Sequence, residues 1–163
     1  MPDFRCLRGG KTMNGREPKK ENDLFFTCSL IEYIARKTKN KRSTVIDTLG
    51  RACIEKIYDL ADVYHCDPID AVSDEFIENS GLMPGIYDNA AQCHYAIPSH
   101  WDIGKIYKRL ILGIAEEKGI SVIDALFEAY HSFVADKIDD YNSSFYYDAP
   151  QNILNAFIYG TIE

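Results

Sequence analysis

Long apolar runs are missing from this chain. No stretch approaches the ~18 residues needed to span a bilayer, and the N-terminus has no apolar signal core. Neither a membrane span nor secretion by that route is expected. Cysteine is sparse and odd in number: Cys6, Cys28, Cys53, Cys66 and Cys93 all fall in the first 93 residues. A disulfide framework is normally even and denser, so reduced thiols in a cytoplasmic protein are the expectation. Strand-like alternation is absent. So are several enzyme signatures. There is no Gly-x-Ser-x-Gly, and the four histidines (His65, His94, His100, His131) sit in no nucleophile context. Arg8-Gly9-Gly10-Lys11 lacks the spacing of a phosphate-binding loop and follows no strand. Positive charge is scarce late in the chain. From Ser121 onward one lysine faces seven acids, net −6, which argues against binding a nucleic-acid backbone there and is compatible with docking a basic protein.

What the chain does contain is a repeat. Leu30-Ile31-Glu32-Tyr33-Ile34-Ala35 aligns with Leu110-Ile111-Leu112-Gly113-Ile114-Ala115, and Val45-Ile46-Asp47 with Val122-Ile123-Asp124. Asp59-x-x-Asp62-x-Tyr64 then aligns with Asp136-x-x-Asp139-x-Tyr141, and Phe76-Ile77 with Phe157-Ile158. One supersecondary unit used twice around a shared core is the natural reading. At 163 residues with a 46% apolar share the chain can bury a real core as one compact domain.

Helical spacing recurs in each copy. Leu24, Cys28, Ile31 and Ile34-Ala35 form an apolar stripe over about residues 23–38, closed by the basic run 36–42. Ser43 can cap a second helix, which Gly50 can bend or break. Asp67-Pro68 opens a third, and Gly81 stops it. In the second copy Ser99-His100-Trp101-Asp102 resembles a capping box before a helix ending at Gly119. A continuous helix over about 121–141 and a last helix opened by Asp148-Ala149-Pro150 complete the plan. The expected fold is all-α: six helices, as two three-helix units about a pseudo-twofold axis. The expected organisation is a flexible basic tail over 1–21 (net +4 over residues 1–20), a first unit over 22–81, a linker over 82–98 and a second unit over 99–163.

Aspartates three apart share a helix face. Asp59, Asp62, Asp136 and Asp139, brought together by a twofold, could hold a divalent metal or act as acid and base. The competing reading is a solvated acidic face whose tyrosines anchor helix ends, with no metal and no cofactor. His65-Cys66 and Cys93-His94 look like halves of a zinc site, but adjacent residues rarely both ligate one metal. Tyr141 to Tyr147 is rich in tyrosine, and amphipathic rings near loops suit a protein interface. Residues 36–42 could contact nucleic acid but carry no interleaved aromatics.

The helix, basic turn, Val-Ile-Asp-x-Leu, Ile57-Tyr58-Asp59, Tyr64-His65 and the Asp-rich helix over Ile69 to Ile77 resemble short all-helical bacterial modules of unknown function, often encoded beside toxin-like genes. The resemblance implies a helical fold and a binding or neutralising role, as in an antitoxin or immunity protein. The expected partner is another protein, met through Asp136, Asp139, Asp140, Tyr146 and Tyr147. A homodimer is also compatible. The metal-dependent enzyme and the nucleic-acid binder stand as the alternatives.

Overall fold

The computed structural model describes residues 16–161, all-helical, with ten α-helices, one 3-10 turn and no strand among them. The expected basic tail lies largely outside the described residues, but its last part does not. Helix α1 starts at Arg16 and runs to Thr38. Its middle is buried on nearly every side: Leu24, Cys28, Leu30, Ile31, Ile34 and Ala35 are fully enclosed. The chain leaves α1 through Lys39, whose φ of 58° is unusual for a residue with a Cβ. Asn40 N–H closes the helix end on the Ala35 carbonyl at 3.0 Å.

Where one helix is expected over 43–64 there are three: α2 (Arg42–Leu49), α3 (Arg51–Asp59) and α4 (Ala61–Tyr64). Gly50, at φ 88° and ψ 159°, makes the first break, a conformation open to glycine and strained for other residues. Helix α5 (Ile69–Ser80) ends on left-handed Gly81, as its sequence implies. The connecting segment contains a short turn of helix, α6 (Asn89–Gln92), capped by the Asp88 side chain on Ala91 N–H at 3.0 Å.

Helix α7 (His100–Lys118) has the expected capping box between Ser99 and Asp102 and the expected glycine stop at Gly119. The continuous helix expected over 121–141 is broken. Helix α8 (Val122–His131) and helix α9 (Phe133–Asp139) are separated by Ser132, which is extended and bonds its hydroxyl back to the Ala129 carbonyl at 2.7 Å. That side-chain bond replaces a helical one, a competition serine often wins at helix ends. A 3-10 turn (Phe145–Tyr147) leads to α10 (Pro150–Tyr159), with proline at its first turn.

Helices α1 and α7 pack against each other along the centre. Helices α2, α3 and α5 lie on α1, while α8 and α10 lie on α7. The central pair approaches closely because Gly104 has no side chain. A Cβ there would stand 2.1 Å from Ser29 Oγ and 2.9 Å from Ser29 Cα. Gly104→Ala should therefore cost about 1–3 kcal/mol by overpacking. Gly119→Ala, with nothing within 4 Å of its Cβ, should cost only about 1 kcal/mol of backbone strain. Urea denaturation of the two variants checks this. A Gly104→Ala cost no larger than that of Gly119→Ala would show that the crossing is looser than drawn.

Candidate functional site

Helix α1 buries two acids, Asp23 near its start and Glu32 further along. Glu32 lies next to Ile31 and four residues after Cys28, and only 1% of it is exposed. An ionised carboxylate cannot stay there without paired charge and donors. Arg42, at the start of α2 and equally buried, provides both. Its Nε donates to Glu32 Oε1 at 2.8 Å and its Nη2 to Oε2 at 2.5 Å, the two-pronged geometry in which guanidinium and carboxylate bond most strongly. Arg36, one turn along α1, donates from Nε to Oε2 at 2.7 Å, and the Tyr141 hydroxyl donates to the same oxygen.

The network then extends to the second half of the chain. Arg42 Nη2 also reaches Asn89 Oδ1 at 3.2 Å, and Asn89 Nδ2 donates to the Asp139 carbonyl at 2.8 Å. Asp139 Oδ1 accepts from the Tyr107 hydroxyl at 2.9 Å. The Tyr107 ring stacks on Tyr130, centroids 4.3 Å apart. One connected set of polar groups thus ties α1, α2, α6, α7 and α9 together.

The two buried acids of this network respond oppositely to their environment. Burial pushes Glu32 up, but the Arg42 charge, the Arg42 hydrogen bonds and the Arg36 charge outweigh it and hold the carboxyl at about 2. For Asp139 burial dominates. The Arg42 charge and the Tyr107 bond offset it only in part, and the Glu32 charge adds to it, leaving the carboxyl near 7. Burial, followed by the Glu32 charge, also raises Tyr141, which stays a neutral donor.

Two of the residues expected at a partner surface are inside. Asp139 is 5% exposed and Tyr146 6%. Asp139 turns inward because α9 ends there, where the chain leaves the helix through Asp140 (φ −83°, ψ 90°). Tyr146 is covered in the 3-10 turn, edge-on to Tyr141. Asp136, Asp140 and Tyr147 are exposed. Asp136 meets Lys41 at 4.0 Å.

Asp59, Asp62, Asp136 and Asp139 do not gather. Among the described residues no group of three or more His, Cys, Asp or Glu could hold a metal ion. The zinc halves fare no better. Cys28, Cys53 and Cys93 are free. His94 is fixed through its backbone N–H to Asn142 Oδ1 at 2.8 Å. His131 is exposed. It pairs with Asp47 at 2.9 Å, and this hydrogen bond raises its pKa.

Sequence reasoning missed Glu32 and Arg42. The signal was present: an acid inside an apolar stripe requires a buried cation nearby. Two grooves also lie at the C-terminal end, both lined by Asp148. One, of about 370 Å³, includes Asn152, Asn155 and Tyr159. The other, of about 280 Å³, includes Arg109 and Tyr147. Comparison with protein-family models, curated proteins and solved structures finds no match to this chain.

Arg42→Met should cost about 3–5 kcal/mol, because it leaves Glu32 buried and short of charge. Glu32→Leu/Arg42→Met together should cost less than Arg42→Met alone. Denaturant titration of the single and double variants decides it, and a double variant as unstable as the sum would refute the pairing. The pH dependence has two limbs. Glu32, lowered in the fold, stabilises above its ordinary range near 4.5, and this is lost as pH falls toward 2. Asp139, raised in the fold, keeps a proton that the unfolded chain releases near 3.8. Stability from this group therefore falls as pH rises from about 4 to 7 and is flat above. The wild type minus Asp139→Asn difference in unfolding free energy should decline across that window. A flat difference would show that Asp139 titrates normally.

Proposed function

We propose that this chain is a protein-interaction module whose C-terminal half docks a basic partner protein, in the manner of an antitoxin or immunity protein. One observation carries the reading. The exposed residues of this half combine the carboxylates Asp136, Asp140 and Asp148 with Tyr147 and Tyr159, each tyrosine 75% exposed. Tyr95 of the connecting segment, 71% exposed, adds a third ring. Acidic groups steer a basic partner toward the surface, and rigid amphipathic rings supply contact area at low entropic cost. Asp139 and Tyr146 position this surface from beneath. The buried network fixes α9 and the loop after it, so the surface is organised before any partner arrives.

The same reading takes the protein as a cytoplasmic one built from two three-helix units about a pseudo-twofold axis, the six expected helices being the unbroken form of nine of these ten, with α6 in the segment that joins the units. In support, the repeated aspartates reach reciprocally into the opposite halves. Asp47 of α2 pairs with His131 of α8, and Asp124 of α8 pairs with Arg51 of α3 at 2.6 Å. Contacts that cross in both directions are what a twofold produces.

Affinity capture from the native host, with Asp136→Lys/Asp140→Lys as control, tests the function. One stoichiometric partner is expected. Its affinity for the variant should be lower by about tenfold or more, and wild-type association should slow at high salt. A partner held equally well by the variant would place the interface elsewhere, and chromatography of the isolated chain would show whether it is a second copy.

A further inference from the structure

The smaller of the two grooves has a chemistry of its own. Ile106, Ala149 and Pro150 make its accessible apolar lining, above the buried Leu110 and Ile153, between α7 and the start of α10, and Tyr147 also lines it. Two opposite charges, Arg109 and Asp148, line the same groove. They are not paired with each other, and Arg109 makes no ion pair or hydrogen bond with any described residue. Asp148 is fixed. Its Oδ1 accepts from Ala149 N–H at 2.9 Å and from Asn152 Nδ2 at 2.8 Å.

A simple anion entering this groove meets the Asp148 carboxylate, and a simple cation meets the Arg109 guanidinium. A polyanion is opposed as well by the net charge of −7. A ligand that carries both charges on an apolar body satisfies every group. We propose that the groove binds an apolar α-amino acid as its zwitterion. The carboxylate meets the Arg109 fork, the ammonium lies beside Asp148, and the side chain covers Ile106, Ala149 and Pro150. A volume of about 280 Å³ suits a ligand of that size. Guanidinium is the side chain best shaped to take a carboxylate by two parallel bonds. The groove shares Tyr147 and Asp148 with the proposed partner surface but not Asp136 or Asp140, so separate variants test the two readings.

Methyl NMR titration of the full chain with L-leucine, N-acetyl-leucine and leucinamide tests it. N-acetylation removes the ammonium and amidation removes the carboxylate. Leucine should give saturable shifts at the Ile106 and Ile153 methyls with a Kd on the order of millimolar. Both blocked analogues, and leucine with Arg109→Ala, should bind about tenfold more weakly or worse. Arg109 is exposed, so unchanged methyl dispersion confirms that the variant is folded. The Asp136→Lys/Asp140→Lys variant should bind leucine like the wild type. No shift with leucine at about 50 mM, well above that Kd range, overturns the proposal. So does equal binding of either blocked analogue, or an undiminished response in Arg109→Ala.

Discussion

The carboxylate of Glu32, enclosed on α1, constrains most of this structure. Glu32 is ionised in a place where water cannot reach it, so its own helix meets it with Arg36 one turn on, and two other segments must arrive: the start of α2 with Arg42 and the chain after α9 with Tyr141. Arg42, once buried, needs more acceptors than one carboxylate offers. It takes the Asn40 carbonyl at 3.3 Å and the Asn89 side chain. Asn89 in turn holds the end of α9. Each group is present because the previous one could not be left unsatisfied. The network does not make the fold more stable than an apolar core would be. It makes alternative packings of the same helices costly, because they strand a charge.

The connecting segment owes its path to the same chemistry. It is pinned to the end of α1 by Gly85 N–H on the Thr38 carbonyl and Tyr87 N–H on the Lys39 carbonyl, both at 2.8 Å. Gly85 lies so close that a Cβ would stand 2.6 Å from the Lys39 oxygen. Asn89 then enters the network, and Asn142 Nδ2 holds the Gln92 carbonyl at 3.0 Å. Turn residues that read as a long linker are therefore a strap across the two halves.

The helices were largely legible because their signals are local. The α1 stripe, the Ser99–Asp102 capping box and the glycine stops at Gly81 and Gly119 all stand where the spacing puts them. Gly50 breaks its helix as its backbone freedom allows. Ser132 broke a helix that periodicity predicted to continue, since apolar spacing carries no trace of a hydroxyl bonding back to the chain. The candidate site was harder. Asp-x-x-Asp-x-Tyr specifies a shared helix face but not which way the face points. In the first copy Tyr64 packs edge-on against Phe76, centroids 5.1 Å apart, whereas its counterpart Tyr141 bonds to Glu32. Arg42 sat inside a basic run, where local composition favours a solvated helix end. Its burial is decided by an acid ten residues away.

The distances along the chain at which these groups meet bear on how the molecule is assembled. Glu32 and Tyr141 are 109 residues apart in sequence, and Arg42 and Asn89 are 47 apart. The entropy of closing such long loops is lost before the reward is gained, which slows folding relative to bundles built on local contacts. It also couples the ends. A nascent first half contains Glu32 and Arg42 but neither Asp139 nor Tyr141, so its polar centre remains wet until the last helices leave the ribosome. The two halves of the chain therefore share one polar centre that neither completes alone.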